Sequence, residues 1–315
     1  MMASSTVSPG EVDLRRRSNR IGERIVMRIL FACGVLSILT TLAILAVLLI
    51  EGSVFFRNIS IVEFFTDTAW QPFGDPASEA FRIGILPLIN GTLLVTGIAL
   101  LVAVPLGLGA AAYLSEYARP GIRKTVKPAL EVLAGVPTVV LGYFALTFVT
   151  PQLRALLPDG SIQIFNALSA GLVVGVMIVP TIASLSEDAM SAVPNSLRQA
   201  AYGMGATRST VVRKVIGPAA LSGIVSAVIL GMGRAIGETM IVAIAAGNLP
   251  TMTLDPGDQV QTMTGYIVQA VTGEASRGSL TYNSIFAVGL VLFVMTFGLN
   301  LIAQRFVKRF REVYS

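Results

Sequence analysis

Five windows of this sequence run for 22 residues or more without a charged side chain: Ile29–Ile50, Ile83–Ser115, Val132–Leu153, Gly160–Ser186 and Gly278–Gln304. Two further apolar windows, Val215–Gly233 and Thr239–Leu254, flank Arg234 and Glu238. A helix that crosses a bilayer needs about 20 apolar residues. Inside lipid every backbone N–H and C=O must be satisfied within the protein, which favours helices. The chain therefore reads as all-α, a polytopic membrane protein with six transmembrane helices. The windows place them near 27–50, 86–113, 129–149, 167–186, 218–246 and 284–304, the fifth carrying two charges.

Charge placement orients these helices. Lys and Arg number 23, Asp and Glu 18, and charged residues make up only 13% of the chain, against roughly 25% in a soluble domain. The basic residues sit in short clusters between apolar runs. That pattern fits the positive-inside rule, not a nucleic-acid surface, so no nucleic acid is expected as a partner. With both termini in the cytoplasm, 18 of the 23 basic residues lie inside. Arg57, Arg82, Arg154 and Arg277 lie outside, and Arg234 falls in the fifth span. The expected location is a cell membrane, multi-pass, in contact with lipid. An N-terminal signal peptide is the alternative for the first span, but its apolar run exceeds 7–15 residues and no small-x-small site follows. The sequon Asn58-Ile-Ser60 is a weak signal on its own.

Several chemistries are closed. Histidine is absent, which removes the commonest proton shuttle and metal ligand, and Cys33 is the one cysteine, so no intrachain disulfide forms. No GxxxxGK[ST] phosphate-binding loop and no Ser/His/Asp set occur. We expect no enzyme activity, no cofactor and no metal.

The sequence divides into a cytoplasmic tail, 1–26, whose first 14 residues are polar and expected to be disordered. The first span and an external aromatic segment follow, 27–84, then a five-helix region, 85–305, and a short tail, 306–315. No internal repeat is evident. The external stretch Glu51–Arg82 holds seven aromatic residues, Phe55, Phe56, Phe64, Phe65, Trp70, Phe73 and Phe81, and the acids Glu51, Glu63, Asp67, Asp75 and Glu79. It reads as an interfacial amphipathic helix anchored by aromatics, or as part of a docking rim for an external partner.

The polar segment 187–217 lies between two spans, on the cytoplasmic side. Pro194 suits the first turn of a short helix. Leu197, Ala200, Ala201 and Met204 recur at three- and four-residue spacing as an apolar stripe. Gly203 and Gly205 permit a reversal, and Thr207 is placed to N-cap a second helix carrying Val211, Val212 and Val215. Pro218 opens the next span. An ordinary amphipathic loop on the membrane is the plain alternative.

Within this segment QAAYGMGATRSTVVRKVIGP, Gln199 to Pro218, resembles the loop of ATP-driven importer permeases: EAA, three residues, Gly, nine residues, Ile-x-Leu-Pro. Ala200, Ala201, Gly205 and Pro218 match and Val215 stands for Ile. Gln199 replaces Glu and Gly217 replaces Leu. LEVLAGVPTVVLGYF, Leu130–Phe144, and GRAIGETM, Gly233–Met240, resemble phosphate-uptake permeases, the PstC type. The resemblance covers roughly residues 85–305 in sequence and the first 80 by layout.

That resemblance implies a type I ABC importer permease fold and a path for inorganic phosphate. It also implies partners: a second homologous permease of PstA type, an ATPase dimer that hydrolyses ATP, and an external phosphate-binding protein. It assigns Gln199, Ala200, Ala201, Gly205 and Pro218 to ATPase coupling. A permease for another oxyanion, sulfate or molybdate, is the alternative, because RA-x-GE recurs there. An ion-gradient-driven carrier or channel is a reading from a different class.

Arg234 and Glu238 are expected in the translocation path. Four residues apart on a helix they would share a face, and charges within a span are costly enough to need a partner or water. They read either as an ion pair that fixes packing, or as a guanidinium for the passing anion with a carboxylate holding it. Glu131, at the start of the third span, reads as a member of this polar cluster or as a residue at the cytoplasmic interface, and the interface is the expectation.

Overall fold

The computed structural model describes residues 20–73, 81–273 and 275–310. The polar N-terminal stretch expected to be disordered, Arg15–Arg17, Asp75, Glu79 and Arg311 lie outside the described residues. Two compact units are present, Met1–Val47 and Leu48–Ser315. The described part of the first is one continuous helix, the beginning of α1 (Arg20–Asn58). At 39 residues α1 extends well past the expected 27–50 at both ends.

In the second unit, α2 (Ile61–Thr66) leads to an antiparallel pair of two-residue strands, β1 (Trp70–Gln71) and β2 (Arg82–Ile83). Asp67 and Arg82 brace this turn-back with two hydrogen bonds of 2.5 and 2.6 Å. The remainder is helical, and the described residues include five helices long and apolar enough to cross a membrane, or six if one bent pair counts as a span.

The centre of the bundle is α3 (Leu86–Ala112) against α7 (Ala167–Ser191), in contact along much of their length. Their interface is built of small residues, including Ala99, Ala103, Ala170 and Gly175, with Val174 and Ile178 filling between. In lipid, helices gain little from burying apolar area, so association rests on close van der Waals packing that small residues allow. Asn166 starts α7 by accepting the backbone N–H of Ser169 at 2.7 Å. The stretch 256–258 closes over that end: Pro256, Gly257 and Asp258 carbonyls accept from Leu168, Gln163 and Ala167.

The third span departs from expectation. The sequence placed it at 129–149, but the chain forms two elements there. A separate amphipathic helix, α4 (Pro120–Ala134), buries no residue. Gly135 ends it, and the span then runs from Thr138 to Leu156 as α5 (Thr138–Phe144), one π turn, and α6 (Thr150–Leu156). The cause is Pro137, which has no N–H and forces Val136 out of helical geometry. Glu131 is exposed on α4, outside the span.

The aromatics of 51–82 are also not interface anchors as a group. Phe55, Phe64 and Trp70 are fully or nearly fully buried in a second core with Ile85, Leu88, Met263, Tyr266 and Val288. The Trp70 and Tyr266 rings meet edge to face at 4.8 Å. Phe65 and Phe73 stay exposed. Tyr266 belongs to α13 (Met263–Thr272), a short helix that precedes the last span, α14 (Leu280–Phe310). Burying large rings against α13 gains more contact than leaving them at a headgroup layer.

Candidate coupling surface and translocation residues

The segment after α7 is built as the sequence suggests. Pro194 stands at the start of α8 (Asn195–Gly203), in extended geometry just before the first helical residue. The helix stops at Met204, and Gly205 takes φ +78°, a left-handed conformation that L side chains rarely adopt. Thr207 then caps α9 (Arg208–Val211), its hydroxyl accepting the Thr210 N–H at 3.3 Å. A π turn, Val212–Ile216, and α10 (Gly217–Ala219) carry the chain to a 77° corner at Ala220, where α11 (Leu221–Ile236) begins. Pro218 lies in α10, just ahead of that corner, so it precedes the span without opening it.

The apolar stripe on α8 splits. Ala201 is buried and Leu197 half-buried in a small third core with Ala111, Met190, Val193, Val211 and Ile216. Gln199, Ala200 and Tyr202 face outward, and Met204 is 84% exposed. Two residues of the stripe anchor the helix and two are exposed. The exposed face, the glycine turn and the following helix together form a short helical unit that follows the end of α7.

In the sequence Arg198 carries no signal beyond its charge. Its guanidinium is 13% exposed and ties three places together. It donates to Glu116 Oε1 at 3.1 Å, to the Met190 carbonyl at 2.6 Å, and to the Val193 carbonyl. Glu116, 6% exposed, stands in the π turn Tyr113–Tyr117 that continues α3. A second cluster sits one turn earlier on α7. Glu187, fully buried, accepts from Arg123 and from Lys127 at 2.8 Å, and Lys127 also reaches Asp188 at 2.6 Å. Ser191 joins through Glu187 and Arg123. The Asp188 and Glu187 carboxylates hold the Lys127 ammonium above the usual lysine range. Arg123 and Lys127 are four apart on α4, and Glu187 and Asp188 close a charge-free window. That spacing was the available signal for this clamp.

The fifth span is not one helix from 218 to 246. Helix α11 ends at Ile236, and α12 (Met240–Ala245) starts after a break that contains Glu238. Arg234 and Glu238 therefore do not share a helical face, and they form no ion pair. Glu238 is 7% exposed and its carboxylate accepts the N–H groups of Met240 and Ile241 at 3.0 and 3.2 Å. Its backbone carbonyl accepts from Thr264 Oγ1. The reason for the break is local: Gly237 ends the helix, and a carboxylate that satisfies first-turn N–H groups starts another. Arg234 is exposed on α11, donating to Thr181 Oγ1 at 3.0 Å and more weakly to the Ala134 carbonyl at 3.5 Å. A guanidinium has five N–H donors, and the contacts to Thr181 and Ala134 use two of them.

Comparison with known proteins bears on this arrangement. The family model described as "Binding-protein-dependent transport system inner membrane component" matches residues 103–312. The "Probable ABC transporter permease protein YqgH" of Bacillus subtilis is 36% identical over 301 residues, covering 95% of this chain and 94% of that one. The "Phosphate transport system permease protein PstC" of Haemophilus influenzae is 35% identical over 254 residues, covering 74% and 76%. Its namesake from Mesorhizobium japonicum is 33% identical over 263 residues, covering 78% of each. In fold, a chain of a bacterial alginate ABC transporter solved with its periplasmic protein superposes with a TM-score of 0.63 at 18% identity, over 93% of this chain and 99% of that one. The chain is thus a multi-pass inner-membrane component without a catalytic site of its own. It belongs to the binding-protein-dependent transport system inner membrane component family, the permease subunits of ABC importers.

Proposed function

We propose that this permease forms part of the translocation path for inorganic phosphate in an ATP-driven uptake system. The observation that carries the substrate is the series of relatives named as phosphate permeases, similar over about three quarters of this chain. Arg234 supports it: an exposed guanidinium with spare donors, on a helix otherwise free of charge. A planar fork suits the oxygens of a tetrahedral anion. Glu238 shapes the path by holding the helix break just beyond it.

In this reading both termini and α8 lie in the cytoplasm, which the distribution of basic residues supports. The partners are a second permease of similar fold, an ATPase dimer that docks on α8, and an external phosphate-binding protein. Gln199, Ala200 and Gly205 belong to the docking face and its turn, Ala201 anchors it, and Pro218 lies at the corner that leads to the span of Arg234. ATP-driven closure of the ATPases moves α8 as a lever, and the two permeases then rock from inward- to outward-facing.

The test is uptake of labelled phosphate by the assembled importer in proteoliposomes. Uptake should require ATP inside and the binding protein outside, and unlabelled phosphate should compete far better than sulfate or molybdate. Stronger competition by sulfate or molybdate would assign another oxyanion. Uptake that survives ATP removal and collapses with the ion gradient would reject ATP coupling.

A further inference from the structure

We propose that Arg198 is the positioning residue that joins the coupling helix to the bundle, through Glu116, so that displacement of α8 becomes displacement of the inner ends of α3 and α7. This rests on the reading of α8 as the ATPase docking helix. Within the Gln199–Ala201 motif, Gln199 carries no charge and faces outward, and Ala201 offers only a methyl group to the small core behind it. Such a contact resists compression but hardly resists pulling or sliding, because dispersion between few atoms is weak.

Arg198 supplies what those residues lack. It is the residue just before the motif, and its side chain points inward far enough to be 13% exposed. One guanidinium holds Glu116 at the end of α3 and the Met190 and Val193 carbonyls at the end of α7. Charge-assisted bonds from a rigid fork fix direction as well as distance, and lysine's single ammonium does not reproduce that geometry. The acid sits in a π turn. The extra residue of a π turn changes which way the side chains beyond it face, and such turns recur at functional positions in helices.

The linkage continues into the bundle. Helix α7 carries Glu187 and Asp188, which grip α4 through Arg123 and Lys127. The last carbonyl of α4, that of Ala134, accepts from Arg234. Separate polar contacts, joined through the backbones of α7 and α4, therefore link α8 to the guanidinium assigned to the anion. Rigid helices joined by polar contacts are one physical carrier of coupling between distant sites.

The experiment uses the complete importer in proteoliposomes with Arg198→Gln or Glu116→Gln. Three quantities are read: co-purification of the ATPase, ATP hydrolysed in the presence of the loaded binding protein, and phosphate taken up. Both variants should assemble and hydrolyse ATP, while ATP consumed per phosphate moved rises by about tenfold or more, the loss expected when a coupling of roughly 1.4 kcal/mol is removed. An assembled variant whose ratio stays at the wild-type value overturns the proposal, and where one variant does not assemble the other decides. Failure of both to assemble also overturns it, because the pair then serves folding alone. Ala200→Trp, on the outward face of α8, separates this from the underlying reading. ATPase that still co-purifies and drives normal uptake with that variant sinks the docking role of α8 itself.

Discussion

Arg234 and Glu238 stand on either side of a helix break and share neither a hydrogen bond nor an ion pair. The carboxylate caps the start of α12 through Met240 and Ile241, and the guanidinium holds Thr181. The charge swap Arg234→Glu with Glu238→Arg should therefore fail on both counts. An arginine at 238 cannot accept the two N–H groups, a loss of about 0.5–2 kcal/mol by analogy with other caps, and a glutamate at 234 repels the anion. Uptake below a tenth of wild type, with reduced thermal stability, is expected. Near-normal uptake would mean that the two charges act as an interchangeable pair.

Gly205 adopts φ +78°, and a Cβ there meets no atom of this chain within 4 Å. The cost of a side chain is then backbone strain, about 1–2 kcal/mol, and it is smaller for asparagine than for a β-branched residue. Gly205→Asn should keep more uptake than Gly205→Val, with equal insertion of both. Equal activity of the two would show that the left-handed turn is not needed for coupling.

Gly175 presents a different constraint. A Cβ on it would lie 2.9 Å from the Ala99 carbonyl oxygen and 3.1 Å from the Val102 Cβ. Gly175→Ala should force α3 and α7 apart at an overpacking cost of about 1–3 kcal/mol. Thermal unfolding of the purified permease in detergent should show a lower midpoint. An unchanged midpoint would mean that the helices separate without penalty.

Arg82 holds the Asp67 carboxyl below the usual carboxylate range, chiefly through its hydrogen bonds. The folded value is lower than the unfolded one, so the ionised pair contributes its full share above about pH 4. That share is lost as pH falls through the lowered folded value. Proteolysis of the β1–β2 hairpin in the purified protein should be faster in Asp67→Asn than in wild type at pH 7, with the difference shrinking in acid. A difference that persists unchanged at low pH would remove the ion pair as its cause.

Ser196 and Ser276 are both exposed, on α8 and in the loop before α14. Single cysteines there, with Cys33 replaced by serine, should react differently with an impermeant thiol reagent on spheroplasts. Ser276→Cys should label and Ser196→Cys should not until the membrane is opened. The reverse pattern would invert the topology.

The short α8–Gly205–α9 unit was legible in the sequence because each of its signals acts locally. A proline before a helix, a glycine at a reversal and a threonine cap depend on neighbours within four residues. Which side of α8 faces the core was not legible, because Leu197, Ala200, Ala201 and Met204 are all apolar. Only the presence of Met190, Val193 and Val211 decides that Ala201 turns in and Met204 turns out. The breaks at Pro137 and Gly237 carried visible signals, but hydropathy averaged over a span-length window hid both.

By itself the sequence determined that the chain crosses a membrane several times as helices, because long charge-free windows have no other stable form in lipid. It also determined where the polar segment 187–217 falls and its helix–turn–helix form. Tertiary structure decided the partners of the charges. Arg198 finds Glu116 across 82 positions, and Arg123 and Lys127 find Glu187 across about sixty. Arg234, four residues from Glu238, turns to Thr181. An ion pair forms wherever packing brings two charged ends together, and that proximity is set by how whole helices lie against one another, not by spacing along the chain.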